Sequence, residues 1–301
     1  MKKRITLFLI IILLLLISII TYTHKNKTTN TNLTKVKVAE VAHSVFYAPQ
    51  YLADSLGFFK EEEMILQFNN KTFKELTNNS KHFAKEMFGH LDDNDLFVCE
   101  KVEDFVKPDF KITCKNETHY VSMKSGRSTT VHQEYVKNFC IFLKNQGISK
   151  RTLQTILLYH YGDGTLDGSG KERFTIEKLK YLLANRIKEA NEELNSNKDF
   201  VLMIIKRAVL KGTKEENIEA DYIYHGNADY GVLVSKTQLF KHCLRRDWKW
   251  MDNLHIGPML LNPHARYIGK EIKRQKSRER LEFSWPNFRE DIEYISSRYD
   301  G

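Results

Sequence analysis

Several short runs between residues 97 and 234 alternate apolar and polar side chains, and the stretches between them repeat apolar residues at helical spacing. The helical period predicts helices over Lys71–His90, Val131–Lys144, Lys150–Tyr159, Ile176–Leu194 and Thr237–Arg245. The alternating runs predict strands at Phe97–Cys99, Phe110–Cys114, His119–Lys124, Phe200–Val209, Ala220–Tyr224 and Gly231–Val234. A glycine-rich loop spans Gly162–Gly170, and the end of the chain is irregular, with strands near Met259 and at Leu281–Phe283. In the helix over Val131–Lys144, the apolar face is Val136, Phe139, Cys140 and Leu143, and Glu134 lies away from it. The pattern is mixed α/β with a central hairpin, not a repeat array.

The front of the chain follows a different pattern. Ile5–Tyr22 is an almost uninterrupted apolar run behind Met1-Lys2-Lys3-Arg4, long enough to span a bilayer as a helix. No Ala-x-Ala site follows it, so an uncleaved signal anchor is favoured over a removed signal peptide for residues 1–23. Residues 24–35 are polar and Thr/Asn-rich, and read as a linker. Lys35–Val41 alternates like a strand, and Ala48–Leu56 is predicted as a short helix with Gly57 as its C-cap.

Composition changes this picture in two places. The formal net charge is +9, but residues 1–35 hold six basic side chains and no acid, so any basic face on the remainder must be local. The four cysteines, Cys99, Cys114, Cys140 and Cys243, form no Cys-x-x-Cys pair, which argues for buried free thiols over a zinc site.

Two resemblances follow. Val36–Ser44, Phe46–Tyr51 and Gly57-Phe58-Phe59 resemble the start of ABC-transporter solute-binding proteins of the nitrate/sulfonate/taurine and thiamine-precursor type. In such proteins, positions like His43, Ser44 and Tyr47 face the ligand. One strand and one helix cannot bury a core, so residues 36–66 read as a truncated fragment, and 67–301 as a separate domain.

The second resemblance rests on Pro108-Asp109 and Ser122-Met123-Lys124. In a strand, residues two apart share a face, so Ser122 and Lys124 point the same way, with Asp109 at the end of the neighbouring strand. An aspartate can ligate a hard cation, a backbone carbonyl can add an oxygen, and a lysine can position water and stabilise developing charge. Pro108-Asp109, Ser122-x-Lys124 and Glu134 together resemble type II restriction-endonuclease-like members of the PD-(D/E)xK nuclease superfamily. That implies a restriction-endonuclease-like mixed sheet flanked by helices, and a metal-dependent endodeoxyribonuclease using Mg²⁺, with Mn²⁺ as a substitute. The candidate catalytic residues are then Asp109, Lys124, Glu134 and Ser122. The metal ligands are Asp109, Glu134 and the Met123 carbonyl, with Glu86 in reserve. The chain departs from the usual pattern at Ser122, because serine cannot replace a carboxylate ligand.

Lys270, Lys273, Arg274, Lys276, Arg278 and Arg280 form a basic run, and Arg245 and Arg246 lie near Trp248 and Trp250. Phosphate contact is their candidate role. The Gly162–Gly170 loop has Asp163, Thr165 and Asp167 at EF-hand-like spacing, but Phe174 stands where a bidentate glutamate is needed.

The leading expectation is an endonuclease acting on double-stranded DNA, compatible with a homodimer, behind a membrane-targeted leader. Two alternatives stand beside it. One is an extracytoplasmic solute-binding component working with an ABC permease and a small-molecule ligand. The other is a nucleic-acid-binding domain without catalysis. The leader implies a membrane-associated or exported chain, whereas the nuclease domain alone is expected in the cytoplasm.

Overall fold

Strand alternation splits the apolar residues between two cores, and a mixed sheet separates them. The computed structural model describes residues 60–102, 106–126, 128–170, 173–214, 216–245, 248, 250, 253–264 and 277–299. The leader, the linker and the fragment as far as Phe59 lie outside the described residues.

The described chain opens with helix α1 (Lys60–Phe68), strand β1 (Lys71–Thr72) and helix α2 (Asn78–Phe88). Strands β2 (Leu96–Lys101), β3 (Phe110–Cys114) and β4 (Glu117–Lys124) follow as a meander. Strand β5 (Thr130–Tyr135) leads into helices α3 (Val136–Asn145), α4 (Lys150–Tyr161), α5 (Ile176–Asn195) and α6 (Lys198–Ile205). The last of these continues as a wider π-helical turn over Lys206–Lys211. Next come β6 (Tyr222–Gly226), β7 (Gly231–Ser235), α7 (Lys236–Arg245), β8 (His255–Ile256), β9 (Met259–Pro263), β10 (Arg280–Ser284) and α8 (Phe288–Tyr299).

The first sheet has the order β1-β2-β3-β4-β6-β7 and is antiparallel except where β4 runs parallel to β6, with Lys124 opposite His225. On one face, Phe97, Cys99, Phe110, Ile112, Val121 and Met123 pack against Met64 and Phe68 of α1 and Phe83 and Met87 of α2. The Phe68 ring lies 5.3 Å from Phe83 and 5.8 Å from Phe97. The boundary expected at residue 66 therefore falls inside a helix whose apolar face belongs to this core. On the other face, Ile223 and Val234 join a larger core formed by α3 to α8 and a second sheet, β5-β10-β9-β8.

The mixed α/β architecture and the central hairpin agree with the sequence pattern, and all four cysteines are free and buried. Four elements differ. The helix expected over Lys71–His90 begins only at Asn78. Before it, Lys71 and Thr72 pair with β2, and Thr72 and Glu75 close a capping box around a 3₁₀ turn. Residues Val131–Tyr135 are strand, because they pair with β10, about 150 positions away, a partner outside any local window. Phe200–Val209 is helical. Asn197 caps it by accepting from the Asp199 and Phe200 amides, and a short continuous apolar run does not separate strand from buried helix by period alone. The irregular end contains α8, whose Ile292 and Ile295 are buried and whose Asp291 accepts from the Trp285 indole at 2.7 Å. Among the described residues, no helix is long and apolar enough to cross a membrane.

Candidate active site

The hairpin brings together Asp109, Ser122, Met123 and Lys124. The Asp109 amide donates to the Val121 carbonyl at 2.8 Å, one step before the Phe110–Val121 pair, which fixes where its side chain emerges. Its Oδ2 accepts from the Met123 amide at 2.5 Å and from the Ser122 hydroxyl at 3.4 Å. Lys124 Nζ lies 3.9 Å from the same oxygen and donates to the Met123 carbonyl at 3.2 Å. Ser122 is fully buried, so its part is a hydrogen bond to the aspartate.

A second carboxylate, on α1, is in electrostatic reach of this cluster. Glu61 stands in the first turn of that helix, 3.7 Å from Lys101. Burial raises its pKa, the Asp109 charge raises it further, and Lys101 and Lys124 temper the rise. Glu61 therefore sits in the field of the Asp109–Lys124 pair. Sequence reasoning missed it because it fell inside the segment assigned to a different origin. The available signal was Glu61-Glu62-Glu63, an acidic run at a helix start. The reserve ligand Glu86 instead pairs with His82 one turn away at 3.7 Å, and its charge acts on Tyr222.

Glu134 occupies a different environment from the one expected. It lies on β5, buried, with Arg207 forked onto both of its oxygens at 3.1 and 2.8 Å. Burial opposes its charge, but His132 and Arg207 outweigh that, and its carboxyl sits below the usual range. The His132 Nε2 to Glu134 separation of 3.5 Å is an electrostatic contact and not a formed hydrogen bond. Burial lowers the His132 pKa, so Arg207 is the principal partner.

Lys107 connects the two regions. Its ammonium donates to the Val131 carbonyl of β5 at 2.8 Å. Burial, then the Lys124 charge, push its pKa down to about 7, against the pull of Asp109 and Glu134. Lys107, His132, Glu134, Arg207 and Arg280 share one cavity of about 640 Å³.

The expected phosphate contacts divide. Arg246, Lys270, Lys273, Arg274 and Lys276 lie outside the described residues. Arg278 is corrected to an internal role: it is largely buried and donates to Asp163 Oδ2 at 2.6 Å, because the Gly162–Gly170 loop folds over it. The same aspartate also accepts from the Thr165 and Gly170 amides, so this loop is built around an arginine. Arg280 is exposed beside Tyr135, with its guanidinium 5.9 Å from the ring. Arg245 lines a second cavity with His242, Asp291 and Arg298.

Among the described residues, no three His, Cys, Asp or Glu side chains converge as a metal-holding group. The candidate oxygen donors are Asp109 and the Met123 carbonyl on the hairpin, with Glu61 in the electrostatic field of Asp109. Magnesium is commonly held by one or two carboxylates while keeping several waters, so a sparse set of this kind is compatible with it.

No family model matches the chain. YtlA of Bacillus subtilis (strain 168), described as a binding protein, is 53% identical over 56 residues, which is 17% of this chain and 17% of the length of that relative. So short a match is consistent with a chain of two origins. Restriction endonuclease MspI, whose structure was solved in complex with its cognate DNA, aligns over 80% of this chain and 93% of its own at 14% identity, with a TM-score of 0.46. At that score the likeness carries no argument, and the functional reading rests on the residues of the site.

Proposed function

We propose that the described domain is a Mg²⁺-dependent DNA endonuclease of the PD-(D/E)xK type, and that the residues before it are a truncated binding-protein leader. The observation that supports this most is the Asp109 carboxylate pinned by the Met123 amide, with the Lys124 ammonium 3.9 Å away. Asp109, Glu61 and the Met123 carbonyl would hold the ion. When bound, it would lower the pKa of a coordinated water and neutralise phosphoryl oxygens.

The side chains divide the remaining work. Ser122 and the Met123 amide orient Asp109. Lys124, shared between Asp109 and the Met123 carbonyl, offers a positive charge where the phosphoryl group becomes more negative. Glu61 supplies the carboxylate that Ser122 cannot. The Asp109 charge that raises its pKa marks a pair of like charges that a cation would stabilise. Glu134 is given to Arg207.

Duplex DNA of varied sequence, with Mg²⁺ or Mn²⁺, tests the reading. Asp109→Asn and Glu61→Gln should each cut cleavage by at least about 100-fold and weaken metal binding. Lys124→Met should cost as much while metal and DNA binding persist, because it removes charge stabilisation and not a ligand. Cleavage that survives both Asp109→Asn and Lys124→Met would sink the site. DNA binding without cleavage by the unmutated chain would favour a binder that has lost catalysis.

A further inference from the structure

The cavity beside Glu134 has no part in that chemistry. It is walled by Val106 and Lys107 before β3, by β5 and the first turn of α3, by Arg207 of the π-helical turn with Gly212 and Thr213 after it, and by Arg280 at the start of β10. Its one carboxylate, Glu134, is already matched by Arg207 through two hydrogen bonds. Arg280 and Lys107 are basic side chains beyond that pair. Lys107 donates to the Val131 carbonyl, which uses one of the three donors of an ammonium. Arg280 stands at the exposed rim against Tyr135. Asn138 comes from the first turn of α3, whose N-cap Tyr135 also lines the cavity, so the start of that helix borders the same space. Lys107, Asn138, Arg207 and Arg280 bring side-chain donors against the one carboxylate, and the volume of about 640 Å³ accommodates a sugar-phosphate unit.

The cavity is also coupled to the cleavage site. Lys107 stands two residues before Asp109, and its electrostatic neighbours include Asp109, Lys124 and Glu134. We propose that this cavity is a phosphodiester subsite, in which Arg280 and Lys107 grip a backbone phosphate neighbouring the one that is cut. The assignment to a nucleic-acid strand rests on the nuclease reading above. The anion chemistry does not. On this view the Glu134–Arg207 pair is a positioning device that holds the guanidinium against the cavity wall.

Two arms test it on the full chain. Inorganic phosphate is titrated calorimetrically. Arg280→Gln, at an exposed position, should weaken its binding about tenfold, the worth of one charge-assisted hydrogen bond, and Arg280→Lys should recover part of the loss. Duplexes carrying a single neutral methylphosphonate at successive positions form the second arm. One position next to the cut should weaken binding about tenfold in the unmutated chain and cause no further loss in Arg280→Gln. Phosphate affinity unchanged by Arg280→Gln overturns the proposal. So do methylphosphonate and Arg280→Gln effects that simply multiply, because the two changes would then act at different places. Failure of the nuclease reading looks different: phosphate binding that depends on Arg280 persists while no DNA is cut.

Discussion

Glu134 and Glu61 show how far residue type alone carries a functional assignment. Both are acidic, and only Glu134 is singled out by the sequence, yet of the two only Glu61 shares the field of Asp109 and Lys124. Their variants should separate. Glu134→Ala strands Arg207 in a buried position and should cost about 3–5 kcal/mol of stability, read from denaturant melts. Glu61→Ala should change stability by well under that, because its partner Lys101 is more than half exposed, while removing cleavage. Equal stability losses would contradict this division. His160 gives a pH signature away from the site. Burial holds its pKa at about 4, with Nε2 against the Arg278 carbonyl at 2.7 Å. Because the folded value lies below the unfolded one near 6.5, the unfolded chain binds the extra proton between them. Its contribution is therefore complete above pH 6.5 and is lost as the pH falls toward 4. A His160→Gln variant should show a shallower decline in melting temperature across that window.

At the scale of elements, α1 decides where the domain begins. Met64 and Phe68 are buried beside Phe97, and Glu61 on the same helix lies in the field of Asp109 and Lys124, so one helix serves both the core and the candidate site. A fragment starting at Gln67 loses Met64 and most of α1, and should melt without a cooperative transition. One starting at Gly57 keeps the helix and should unfold in a single step. Matching melts for the two fragments would place α1 outside the core. Strand β5 makes the complementary point. Val136, Phe139, Cys140 and Leu143 are buried as the helical period indicates, but the helix stops at Tyr135, because the preceding residues are claimed by β10. Where local propensity is weak, a distant partner sets the boundary.

Over the whole molecule, two sheets meet at Lys107, which precedes β3 and donates to the Val131 carbonyl of β5. The sequence by itself determined the mixed α/β class, the central hairpin, the free buried cysteines and the cluster of Asp109, Ser122 and Lys124. Those features depend on residues close along the chain, where a period of two or a hairpin turn fixes geometry. Only the tertiary structure decided that Glu61 lies in electrostatic reach of the cluster from a helix some 50 residues upstream, that Glu134 answers to Arg207, and that Arg278 is buried against Asp163. An ionisable side chain has the same identity in water, in an ion pair or beside a second carboxylate. Burial and the charges brought to it by folding settle its role, and both arise from contacts that no local window contains.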